Sequence, residues 1–111
     1  MEESQVRLFQ IQAEICKSLA DPKRLMLIHE LRQAELSVTE LAHSLGLSHA
    51  NVSQHLAVLR KRGIVSAHRQ GTTVYYSLTS PKIGEACDLV REVLADQLHQ
   101  NQELAGFLGL S

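Results

Sequence analysis

A chain of 111 residues is the size of one domain, long enough for a modest core and too short for two. With 44% hydrophobic residues, no Trp, and Phe9, Tyr75, Tyr76 and Phe107 as its only aromatics, it suits a mostly helical core of Leu, Ile, Val and Ala. No apolar run approaches the roughly 20 residues that span a bilayer, and the acidic, polar start Met1-Glu2-Glu3-Ser4 gives no sign of export, so a cytoplasmic protein with no membrane partner is expected.

Leu8, Ile11, Ile15 and Leu19 recur at helical spacing over residues 5–20, with Cys16 beside the stripe. Asp21-Pro22 stops that helix and starts another. Asp is a good N-cap, and Pro at the first helical position lacks only an N–H that would be unpaired anyway. Leu25, Ile28 and Leu31 carry the second helix to about Ala34. Ser37-Val38-Thr39-Glu40 has the form of a capping box and starts a short helix through Leu45. Gly46 follows, where a helix end wants positive φ. Ser48 can cap the next helix, 49–62, which Gly63 ends. Two helices joined by a short Gly-containing turn make a helix-turn-helix pattern.

Residues 64–69 and 73–78 are rich in β-branched and aromatic side chains, and Gln70-Gly71-Thr72 lies between them. They read as a hairpin. Pro81 then opens a long terminal helix, about 81–106, with a stripe of Ile83, Cys87, Val90, Leu94 and Leu98. There are no repeats, low-complexity segments or linkers. The expected fold is mainly α with a β-hairpin wing: a single winged helix-turn-helix domain over 1–111, with about five helices and a two-stranded wing.

The net charge of −1 averages over an uneven distribution. Between Glu40 and Glu85 there is no Asp or Glu, while Arg60, Lys61, Arg62, Arg69 and Lys82 lie there with His43, His49, His55 and His68. After Lys82 the sign reverses, with Glu85, Asp88, Glu92, Asp96 and Glu103 facing only Arg91. A carboxylate-free middle suits a polyanion, because an acid beside a phosphate costs affinity.

At about 100° per residue, Val52, Leu56 and Leu59 share the inward side of helix 49–62, with His55 at its edge as a packed structural histidine. Ala50, Ser53, Gln54, Ala57 and Lys61 point the other way, flanked by His49 and Asn51. Such a small polar face fits a major groove about 12 Å wide. Gln and Asn can bond a base edge with two atoms, and Ser can bond bases or phosphates. The N-terminal turn at Ser48 suits a phosphate. Arg60, Lys61 and Arg62 also suit a helix C-terminus whatever the ligand. At the hairpin tip, Arg69 and Thr72 are the groups a wing would lay along the DNA backbone or into a minor groove. The DNA-binding candidates are therefore Ser48, His49, Asn51, Ser53, Gln54, Lys61, Arg69 and Thr72.

Residues 19–78, through "LADPKRL", "LSVTELA", "LSHANVSQHLAVLRKRGIV" and "RQGTTVYYSL", resemble the ArsR/SmtB family of bacterial winged-helix repressors. The resemblance implies a homodimer joined through the first and last helices, bound to an imperfect palindrome in double-stranded DNA and released by an inducer. It also implies DNA-reading positions at His49, Ala50, Ser53 and Gln54, with Arg69 in the wing; Ala50 departs from the small polar residue usual there. The positions of the family's arsenic-type cysteines hold Ser37, Thr39 and Ala42, and those of its zinc-type ligands hold Ser80, Lys82, Val93 and Asp96. Neither metal site survives, and no cofactor is expected. Asp96, His99 and Glu103 can share one face of the last helix and bind a divalent ion weakly, but three such residues are more commonly just a solvated polar face.

Two thiols remain, Cys16 on the first helix and Cys87 on the last. They are candidates for redox sensing by oxidation or persulfidation, or small hydrophobes that only pack. The competing class is a winged helix that docks proteins through its acidic last helix. An enzyme has no support, since there is no Gly-rich phosphate loop, no metal-ligand spacing and no nucleophile paired with a base.

Overall fold

The elements run α1 (Glu3–Leu19), α2 (Pro22–Leu31), β1 (Leu36–Ser37), α3 (Val38–Leu45), α4 (His49–Lys61), β2 (Val65–Gln70), β3 (Thr73–Leu78) and α5 (Lys82–His99). They belong to a computed structural model that describes residues 1–99, 101 and 106–109. The chain divides into two compact units, Met1–Pro81 and Lys82–Ser111. Among the described residues, five helices and a small antiparallel sheet are the winged helix-turn-helix architecture expected from the pattern.

Local chemistry accounts for most boundaries. Asp21 Oδ1 accepts from the backbone N–H groups of Lys23 (2.8 Å) and Arg24 (3.2 Å), with Pro22 as the first residue of α2. Arg24 Nε then donates to the Ser18 carbonyl at 2.6 Å, so the same segment caps the start of α2 and the end of α1. The second helix stops at Leu31 rather than Ala34, its last turn tightened by Gln33 N–H donating to the Glu30 carbonyl. Before α3, the Ser37 hydroxyl accepts from Glu40 N–H at 3.1 Å, and the Glu40 carboxylate accepts from Ser37 N–H at 3.0 Å. This is the reciprocal capping box. Gly46 ends α3 at φ +66°, a backbone conformation that costs an L side chain free energy. Ser48 caps α4 by accepting from Asn51 N–H at 3.1 Å.

The hairpin is tighter than the sequence suggests. Gln70 pairs with Thr73, so the loop is Gly71-Thr72 alone. Gly71 has φ +66° and Thr72 a negative φ, the signature of a type II′ turn. The sheet also has a third strand. Leu36 pairs with Tyr76 and Ser37 with Tyr75, giving the order β1-β3-β2. A strand of two residues is too short to show an alternating pattern. It forms because the cap of α3 is held extended (Ser37 φ −84°, ψ 167°) alongside β3.

The core of the first unit is Leu27, Ile28 and Leu31 from α2, Leu41 and Ala42 from α3, Val52, Leu56 and Leu59 from α4, and Ile64 and Val65 entering the wing. From α1 only Ser18 is buried. In the second unit, α5 buries Gly84 and Leu98 and exposes Leu89, Val90, Val93 and Leu94. The helix expected to reach 106 is described to His99; residues 100 and 102–105, and with them Glu103, lie outside the described residues.

Candidate nucleic-acid interface

The first unit holds α4 by its apolar stripe. Val52, Leu56 and Leu59 are each 0% exposed, packed among α2, α3 and β2. That fixes which residues are left outside. His49, Ala50, Ser53, Gln54, Ala57, Arg60 and Lys61 are exposed, while Asn51 is half-buried. Asn51 Oδ1 is out of solvent with no hydrogen-bond partner among the described residues. As placed, its carbonyl end is turned away from any ligand. The Ser48 hydroxyl accepts from Asn51 N–H in the helix cap and keeps its own proton to donate to a phosphate. Arg69 and Thr72 are exposed at the wing tip.

His55 sits at the edge of the buried stripe, its side chain 17% exposed. Its Nδ1 lies 3.4 Å from Arg24 Nη1 and 4.0 Å from Asp21 Oδ1. It thus ties α4 to the α1–α2 joint instead of facing a ligand. Burial pushes the Asp21 carboxyl upward, but the N–H donors of Arg24 and Lys23 and the charges of His55 and Arg24 outweigh this and hold it below its ordinary value.

The cations of the carboxylate-free segment separate into two groups. Carboxylates from elsewhere in the chain reach some of them: Glu14 of α1 pairs with Arg62 at 2.9 Å, and Glu35 lies 3.4 Å from His68 Nε2. Arg60, Lys61 and Arg69 have no carboxylate partner among the described residues. The local arithmetic of Arg60-Lys61-Arg62 therefore overstates the positive face by one residue.

Between α4 and the wing lies an open cleft of about 460 Å³ lined by Ser53, Ala57, Arg60, Lys61 and Tyr76. Tyr76 was not among the sequence candidates. Tyr75 and Tyr76 are adjacent in a strand, so they face opposite sides of the sheet, and only the pairing register decides which side meets α4. Tyr75 stacks on His68, ring centroids 6.1 Å apart, while Tyr76 turns to the cleft. Among the described residues no three His, Cys, Asp or Glu side chains are grouped to hold a metal ion, and no helix is long and apolar enough to cross a membrane.

A family model described as "Bacterial regulatory protein, arsR family" matches residues 21–67. The HTH-type transcriptional regulator Rv0081 of Mycobacterium tuberculosis is 42% identical over 89 residues, 79% of this chain and 78% of that protein. Its crystal structure superposes with a TM-score of 0.76 at 39% identity, over 84% of this chain and 94% of that one. A biofilm growth-associated repressor of Xylella fastidiosa is 35% identical over 88 residues, 79% of this chain and 77% of its own. The solution structure of a homodimeric winged helix-turn-helix DNA-binding domain from Mycobacterium bovis gives a TM-score of 0.80 at 28% identity, covering 91% of this chain and 94% of that one. These similar proteins are transcriptional regulators, a non-enzymatic family.

Proposed function

The chain belongs to the arsR family of bacterial regulatory proteins and is a winged-helix, DNA-binding transcriptional regulator; from that premise we propose that it acts in the cytoplasm as a homodimeric repressor on an imperfectly palindromic operator. Base reading falls to Ser53 and Gln54 with His49 beside them, while Ser48, Lys61, Arg69 and Thr72 hold the backbone. Asn51 contributes only through its amide nitrogen. The observation that carries this reading is the exposed face of α4, which is small, polar and free of carboxylates, with Lys61 and Arg69 left without acidic partners among the described residues. Repression, which the Xylella relative is named for, follows if the operator overlaps the promoter.

The dimer is supported by apolar side chains left in solvent. Helix α1 exposes Leu8, Phe9, Ile11 and Ile15, and α5 exposes Leu89, Val90, Val93 and Leu94. Each stripe is an apolar surface for a second copy.

The test is binding to a duplex selected from a random pool by the protein itself, against a scrambled duplex of equal length. Gln54→Ala is expected to cut discrimination between the two by about 1–3 kcal/mol, the worth of one bidentate base contact. Arg69→Ala should weaken both alike. A Gln54→Ala protein with unchanged sequence preference would overturn the assignment of α4 as the reading helix.

For the inducer, thiol chemistry at Cys16 and Cys87 is the second reading, favoured by Cys16 being exposed on α1, the helix that also carries apolar side chains for the dimer. Hydrogen peroxide would convert the thiol to a sulfenic acid with release of water, and a polysulfide would pass it one sulfur atom as a persulfide. Operator affinity of parent, Cys16→Ser and Cys87→Ser proteins before and after each oxidant decides the matter. An oxidant-insensitive parent ends this reading.

A further inference from the structure

We infer that the cleft between α4 and the wing seats one backbone phosphate of the bound duplex, held by Arg60, Lys61 and the Tyr76 hydroxyl. The inference rests on the DNA-binding reading above and adds to it a side chain from the sheet.

Strand register provides the geometry. Val65 pairs with Leu78, Ala67 with Tyr76 and Arg69 with Val74, and residues two apart in a strand share a face. One face of the wing therefore runs from Val65 and Leu78 through Ala67 and Tyr76 to Arg69 and Val74. Its inner end is anchored, since Val65 is 2% exposed in the core. Its middle is Tyr76, lining the cleft with α4, and its outer end is Arg69. Tyr76 thus lies midway between the reading helix and the wing-tip cation, on the same side as both. The opposite face carries the His68–Tyr75 stack and the Glu35 carboxylate, an acid that would repel a phosphate.

The chemistry of the lining matches a phosphodiester. Two cations without carboxylate partners among the described residues, a Ser hydroxyl and a phenol surround an open space, and no acid among the described residues lines it. A phosphodiester carries one negative charge on two unbridged oxygens, so an Arg and a phenol can each donate to one. Ser53 belongs both to the cleft and to the groove-facing side of α4, so a phosphate held there would set the register in which Ser53 and Gln54 meet base edges. Arg62, next in sequence, is already engaged by Glu14 and serves as the internal control.

The experiment uses the full chain and its pool-selected duplex, with single methylphosphonates placed in turn along each half-site. One position should weaken the parent about tenfold while leaving the already weakened Arg60→Gln and Tyr76→Phe proteins little changed. Arg60→Gln should lower the salt dependence of binding by about one counterion. Tyr76→Phe, which keeps the ring and its packing, should weaken binding by about three- to tenfold with the salt dependence intact. Arg62→Gln should alter neither. Inorganic phosphate at constant ionic strength should leave affinity unchanged; displacement of DNA by it would show a site for the free ion and overturn the proposal. If Arg60→Gln and Tyr76→Phe bind like a parent that does bind DNA, the cleft assignment falls and the DNA-binding reading stands. If the parent binds no duplex, that reading itself has failed.

Discussion

Helices α1 and α4 lie in the same compact unit, and each carries an apolar stripe at helical spacing, yet the stripes meet opposite fates. In α4 the stripe is fully buried and the polar face is left outside. In α1, Leu8 is 63% exposed, Phe9 57%, Ile11 48% and Ile15 40%. A hydrophobic period identifies the apolar face of a helix but not what covers it. For α4 the cover comes from α2, α3 and β2 of its own unit. For α1 its own unit provides no such cover, so in the proposed dimer the working face of α1 is its apolar one and that of α4 its polar one.

The sharpest way to break that comparison is to shorten a side chain in each stripe. Leu56→Ala should cost about 2–5 kcal/mol of unfolding free energy, because Leu56 is completely enclosed and the cavity cannot fill. Urea denaturation followed by circular dichroism measures it. A cost below about 1 kcal/mol would mean the α4 stripe is only loosely packed.

Leu8→Ser with Ile11→Ser removes comparable apolar surface from α1 and should behave differently. At a dilution that leaves the parent monomeric by sedimentation, the double variant should unfold within about 0.5 kcal/mol of it. At higher concentration the parent should gain stability as it dimerises and the variant should not. Sedimentation velocity and concentration-dependent denaturation check both halves. A large loss in dilute solution would make α1 an ordinary core helix and erase the contrast.

The same contrast separates what sequence makes legible from what it hides. Asp21-Pro22, the Ser37–Glu40 box and Gly46 act within a few residues of themselves, and each does locally what its chemistry predicts. The inward side of α4 was legible for the same reason. The charge pairings were not. Arg62 and Glu14 are 48 positions apart, and no local rule told Arg62 from Arg60. Tyr76 was hidden likewise, because its side of the sheet depends on pairing with β2 and on a two-residue strand with no period of its own. Helix faces could be read before folding, whereas the cations that keep their charge available for DNA could not.

The smallest predicted effect concerns the joint between the two helices compared. Asp21 follows the end of α1, caps α2 and lies 4.0 Å from His55 of α4. Although partial burial works against its charge, the N–H groups of Arg24 and Lys23, with His55 and Arg24, hold its carboxyl below the ordinary 3.8. A carboxyl depressed in the folded state binds its proton more readily when unfolded. Its stabilising contribution is therefore present above pH 3.8 and is lost as pH falls through the lowered folded value. Asp21→Asn keeps an equally good capping oxygen but removes the charge. Its Tm should lie below the parent's at neutral pH, and the two melting curves should converge as acid protonates Asp21. Parallel Tm profiles across the acid range would show that the fold does not favour the Asp21 charge. The coupling of α4 to the α1–α2 joint would then rest on the Arg24–His55 contact alone.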